Sequence, residues 1–146
     1  MIQRIQSIYL ILAAGIQAVF ALGTYYTFND KQLTGEGLFN AEGLQIGGDS
    51  KTMAMSFIIG GLSIISMVVF KNRKLQMKLA NGAGLLGFAQ IVFLVRSYMN
   101  LTLIDQADLS IGFVVFLMPF SMILNFLAAK SIKKDDNLVR SVDRIR

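Results

Sequence analysis

The sequence predicts an all-α integral membrane protein, a four-helix bundle with both termini on the cytoplasmic side. Three observations predict it. Apolar residues make up 54% of the 146 residues, mean hydropathy is +0.57, and charged residues fall to 16%. Soluble domains usually carry ~45–50% apolar and ~25% charged residues, and a chain of this size has too little interior to hide the excess. Four stretches hold no Asp, Glu, Lys or Arg, and about 20 mostly apolar residues suffice to cross ~30 Å of hydrocarbon. The cations between those stretches are unevenly shared.

The first uncharged stretch, Ile5–Asn29, is 25 residues long and predicts a helix over about 5–28. Arg4, the apolar run 8–20 and Ala21-Leu-Gly23 also fit a cleavable leader. The length of the whole stretch favours a retained span. The second, Thr52–Phe70, has 19 residues and predicts a helix over 52–70. The third, Leu79–Val95, has only 17. A helix over about 77–100 needs Lys78 and Arg96 to snorkel to the two interfaces. The fourth, Leu109–Ala129, has 21 residues and predicts a helix over 109–131. Backbone polar groups in lipid must bond within the segment, which selects helices. A β-barrel needs strict alternation that Phe113-Val-Val-Phe-Leu-Met118 lacks.

Orientation follows from the cations. The N-terminus (Arg4), the second loop (Lys71, Arg73, Lys74, Lys78) and the tail (Lys130, Lys133, Lys134, Arg140, Arg144, Arg146) hold eleven of fourteen. The opposite side holds Lys31, Lys51 and Arg96. Cations stay inside, so both ends are cytoplasmic. Six of nine acids (Asp30, Glu36, Glu42, Asp49, Asp105, Asp108) fall outside. The net charge of +5 is therefore a topology signal, and no nucleic-acid surface is read from it. The outer loop 30–51 carries Gly35, Gly37, Gly43, Gly47 and Gly48 with Phe39, Leu44 and Ile46 between them. It is read as a small hairpin or a plain connector.

Small residues at Ala80, Ala83, Gly84 and Gly87 share one face of the third helix, and Ala14, Ala18 and Ala21 share one face of the first. Such stripes let helices approach closely, within one bundle or between copies in a homo-oligomer. Gln17, Asn81, Gln90 and Asn125 are the intramembrane amides. They read as hydrogen-bonding glue between helices, or alternatively as the lining of a solute path. Pro119 falls near the middle of the fourth span and predicts a bend where the carbonyl of Val115 loses its partner. Gly60 and Gly61 loosen the second span or let it pack closely. In the tail, Asp135 and Asp136 read as caps of a separate amphipathic helix in 132–146, with Leu138, Val142 and Ile145 on one face.

The chain has no Cys, no His and no Trp. That removes the usual transition-metal ligands and the commonest general base, and no cofactor, metal or catalytic residue is predicted. The pair Asp105 and Asp108 is the weak remaining candidate for acid–base or cation chemistry.

Three segments then carry a resemblance. They are the opening Met1-Ile-Gln-Arg-Ile-Gln-Ser-Ile-Tyr-Leu-Ile-Leu-Ala-Ala14, the loop Asn72-Arg-Lys-Leu-Gln-Met-Lys78, and the closing Ile132-Lys-Lys-Asp-Asp-Asn-Leu-Val-Arg-Ser-Val-Asp-Arg-Ile-Arg146. Together they resemble a family of small four-helix inner-membrane proteins of Bacteroidota-type bacteria, known only as a domain of unknown function. The resemblance implies an inner-membrane location and four spans, and it brings no site residues with it. The expected role is a non-catalytic accessory or scaffold subunit of a membrane complex. It would contact lipid headgroups or a membrane-protein partner through Arg73, Lys74, Gln76, Lys133, Lys134, Arg140, Asp143 and Arg144. The alternative is a small oligomeric transporter or channel.

Overall fold

The computed structural model describes residues 3–28, 44–45, 50–103 and 109–143. Four helices carry the fold: α1 (Gln3–Leu22), α2 (Ser50–Val68), α3 (Arg73–Leu103) and α4 (Met118–Asp143). They pack in ring order, α1 on α2, α2 on α3, α3 on α4, and α4 back on α1. Each is long and apolar enough to cross a membrane, over Ile5–Leu22, Lys51–Val68, Arg73–Met99 and Phe113–Val139.

The same arithmetic appears on every helix. Burial falls on Gln6, Leu10, Ala13, Gln17 and Phe20 of α1, and on Thr52, Ser56, Ile59, Ser63 and Ser66 of α2. On α3 it falls on Gln76, Ala80, Ala83, Gly87, Gln90 and Leu94, and on α4 on Met118, Ser121, Asn125, Ala128 and Ile132. Steps of four and three alternate throughout, the spacing that keeps one seam facing the neighbours in near-parallel bundles. The composition of the seam is inverted relative to a soluble bundle. Ten of the buried residues are polar, while Ile8, Ile11, Leu12, Phe57, Ile58, Ile64, Leu85 and Phe88 are all more than half exposed. In water that exterior would be untenable; in hydrocarbon it is the favourable solvent-facing surface.

Several boundaries differ from the sequence expectation. α1 stops at Leu22, where the Gly23 amide bonds back to the carbonyl of Phe20 at 3.2 Å. Thr24–Phe28 then forms a strand, β1. Its Thr, Tyr and Phe residues favour extended backbone, and absence of charge alone does not distinguish strand from helix. β1 is the centre of a three-stranded antiparallel sheet with β2 (Leu44–Gln45) and β3 (Leu109–Ile111) on its edges. Of the outer loop 30–51 only Leu44–Gln45 is described as strand, and it pairs with β1, which precedes that loop. The hairpin expected within the loop falls on 29–43 and 46–49, which lie outside the described residues. α3 is longer than predicted, 31 residues against about 24, and starts at Arg73.

The fourth span is the largest correction. It does not begin as α-helix at 109. β3 is followed by a 3-10 turn, Phe113–Leu117, and α4 starts at Met118. Pro119 therefore sits in the first turn, where its missing N–H costs nothing, and not at a mid-helix bend. The carbonyl of Val115 is not orphaned; the Met118 amide bonds it. At the other end, Asp135 and Asp136 do not cap a separate helix. α4 runs through them to Asp143 without a break. α2 likewise runs unbroken through Gly60 and Gly61.

Candidate functional site

Two features stand out once the elements are placed: a polar seam in the half of the bundle near the sheet, and a cationic end opposite it. The seam starts with the amides. Gln17 donates from Nε2 to Ser121 Oγ at 3.2 Å, and Ser121 Oγ donates to the carbonyl of Ala13 at 3.3 Å. Asn125 donates from Nδ2 to the carbonyl of Ser121 at 3.1 Å. Its Oδ1 accepts from Ser63 Oγ at 2.9 Å, and that hydroxyl also lies 2.9 Å from the carbonyl of Ile59. α1, α4 and α2 are thus tied at one level. A second knot ties α3 to α2, where Gln90 Nε2 donates to Ser56 Oγ at 2.7 Å and Ser56 Oγ donates to the carbonyl of Thr52 at 2.9 Å.

Gln17, Gln90 and Asn125 are almost wholly buried, so the interhelical-bond expectation describes their positions. Asn81 is half-buried off the seam and takes no part in the network. Two acceptors stay unmatched among the described residues: Gln17 Oε1 and Gln90 Oε1. The sequence reading missed Thr52, Ser56, Ser63, Ser66, Ser121 and Gln6, all buried. Their signal was available in the four-three spacing that they share with the amides.

The small-residue stripe of α3 faces α4 within one chain. A Cβ on Gly84 would meet the Phe126 ring at 2.9 Å, and one on Gly87 would lie 3.6 Å from Met122 Cβ. Ala80 joins Leu10, Ala128, Ala129 and Ile132 in an apolar cluster, and Ala83 is fully buried. On α1 the predicted stripe is displaced by one position. Ala13 is fully buried and Ala21 nearly so, Ala14 is half-buried, and Ala18 is exposed. Gly60 of α2 lies over this face, 3.6 Å from Gln17 Cβ when given a Cβ.

Below the apolar cluster lies the cationic end. Ser66 Oγ donates to the carbonyl of Gln76 at 2.9 Å, and Gln6 Nε2 donates to Asp135 Oδ2 at 3.1 Å. Lys71, Lys74, Lys78, Lys130, Lys133 and Lys134 are exposed around this end. Arg73 is half-buried, and its Nη1 is sealed from solvent with no hydrogen-bond partner among the described residues. Gln76 is a correction: it is buried against α2, not presented for docking. Arg140 and Asp143 lie on the last turns of α4; Arg144 lies outside the described residues, as do Asp105 and Asp108. Beyond Asp135, α4 continues about 12 Å to Asp143, and Leu138 and Val139 on that projection are exposed.

Among the described residues no group of His, Cys, Asp and Glu is placed to hold a metal ion. The sequence matches the family described as a domain of unknown function (DUF4293) over residues 2–145. No curated protein matches it.

Proposed function

From the premise that the chain belongs to this family of unknown function, we propose that it is a non-catalytic accessory or scaffold subunit of a bacterial inner-membrane complex. It crosses the bilayer four times with both termini in the cytoplasm, and a partner protein docks on the cationic end. The observation that carries this reading is the asymmetry of the two ends. Seven exposed or half-buried cations of the second loop and the α4 segment crowd one end, from which α4 projects with Leu138 and Val139 uncovered. At the sheet end the described cations are Lys51 and Arg96. Retention of cations on the cytoplasmic side sets the orientation.

The unbroken α4 also favours a protein partner over a lipid surface for the tail. A helix lying in the headgroup plane must leave the axis of its span, whereas Lys130–Asp143 keeps that axis and carries its apolar side chains out into water. Gentle solubilisation from native membranes followed by identification of co-purifying chains tests the reading. A specific partner is expected, retained by the wild type and lost from Leu138→Ser/Val139→Ser. A lone chain, with that variant indistinguishable from wild type, would overturn it.

A second reading, an oligomeric transporter or channel, is favoured by one observation: the unmatched acceptors Gln17 Oε1 and Gln90 Oε1 in the interior. Flux of polar solutes into proteoliposomes, abolished by Gln17→Leu and Gln90→Leu, would move the assignment there.

A further inference from the structure

At the sheet end an apolar cleft lies between α3 and the segment 111–119. Its volume is about 210 Å³, and the 3-10 turn Phe113–Leu117 and Pro119 contribute to its lining. Ile91, Leu94, Val95 and Tyr98 form one wall, and Val115 and Phe116 the other. A second, shallower groove of about 430 Å³ runs along α3 past Val92, Arg96 and Met99. The two share Ile91 and Val95, so they flank one ridge of α3. An enclosed apolar cavity of ~150 Å³ already accepts a benzene ring, so the cleft takes a run of several methylenes.

Charge and depth select the occupant. Arg96 is exposed in the groove. Along α3, Arg96 stands about 35 Å from Arg73, and a hydrocarbon core is ~30 Å thick. A guanidinium there meets the phosphate layer of the leaflet opposite the cationic end, where it binds phosphate oxygens in a planar fork. Tyr98, one turn from the cleft's centre, is a residue type that favours that layer.

We infer that this cleft and groove form a phospholipid site: one acyl chain lies between α3 and the Val115–Phe116 wall, its neighbour lies along the groove, and Arg96 binds the phosphate. The inference rests on the transmembrane reading, and the experiment separates the two. The full chain is reconstituted into vesicles of phosphatidylcholine and phosphatidylglycerol containing a trace of phosphatidylglycerol with a photoactivatable acyl chain. Flotation is measured first. A chain that does not float with the vesicles overturns the transmembrane reading, and this site with it.

In floating protein, label is expected to concentrate on peptides covering 91–99 and 111–119. Arg96→Gln should lower that labelling about tenfold relative to the lipid-facing Ile64–Ile65 segment, the size of one lost charged hydrogen bond. Arg96→Lys should retain most of it, and Val115→Phe should displace the label from the cleft by filling it. Helix content by circular dichroism checks folding. Arg96 lies on the surface, so its variants stand even if Val115→Phe fails to fold. Uniform labelling of all four helices, unmoved by Arg96→Gln, overturns the site and leaves the spans intact. Loss of label on adding inorganic phosphate alone assigns Arg96 to a free anion and also overturns it. So does a cross-linked dimer that Val115→Phe abolishes, since the cleft then holds a second copy.

Discussion

The half of the bundle near the cationic end and the half near the sheet are built from the same four helices and the same four-three spacing, yet they are held by different forces. Nearer the cations, Leu10, Ala80, Ala128, Ala129 and Ile132 interlock as shapes. Nearer the sheet, Gln17, Ser63, Ser121 and Asn125 interlock as donors and acceptors. Association of helices in lipid gains nothing from removing apolar surface from water, because lipid is already apolar. For a bundle in lipid, close packing and interhelical hydrogen bonds remain. The apolar cluster represents the first, and the network of Gln17, Ser63, Ser121 and Asn125 the second. The bonds of Ser66 to Gln76 and of Gln6 to Asp135 add to the second at the cationic end.

The difference can be broken by swapping the two chemistries. The largest effect is expected where volume matters. Ala80→Leu overfills the apolar cluster and should destabilise the bundle by about 1–3 kcal/mol, whereas Ala80→Ser should stay within about 0.5 kcal/mol. Titration from mild detergent into dodecyl sulfate, followed by circular dichroism, measures both. In the polar half the order should reverse. Asn125→Leu keeps the size and deletes the bonds to Ser121 and Ser63, at a cost of about 1–2 kcal/mol by the same titration.

Smaller changes sharpen the comparison. Gln90→Met removes one short bond to Ser56 together with an unmatched oxygen, and a cost of about 0.5–1 kcal/mol is expected. Gln17→Met removes a longer bond and another unmatched oxygen, so it should be close to neutral, within about 0.5 kcal/mol. A double-mutant cycle of Ser63→Ala with Asn125→Leu should show coupling of about 0.5–1 kcal/mol, and Ser63→Ala with Ala80→Ser should show none. If Gln17→Met costs as much as Asn125→Leu, the unmatched oxygen is not a liability, and the division between the halves loses its energetic meaning.

The four helices were legible because a helix able to cross hydrocarbon needs about 20 residues with hardly any charge, and each long uncharged stretch of the sequence holds one. The ends of the spans were not. Thr24–Phe28 and Leu109–Ile111 carry no charge either, and only their Thr, Tyr and Phe content separates them from the helices they adjoin. Pro119 was misplaced for the same reason: a span taken to begin at 109 puts it in the middle, and one that begins at Met118 puts it in the first turn. The amides were legible individually, as polar atoms that need partners. Their partners were not, because Ser56, Ser63 and Ser121 look innocuous in a hydropathy average. Reading Gln76 as a docking residue followed from counting it with the cations beside it. Its phase on α3, shared with Ala80 and Ala83, places it inward.

From Phe120 to Asp143, α4 contains neither glycine nor proline and no interruption. The same rod holds Ser121 and Asn125 at one end and Leu138 and Val139 at the other. Any rotation imposed on the protruding turns by a bound protein is transmitted stiffly to the knot among α1, α2 and α4, about 20 Å away along the axis.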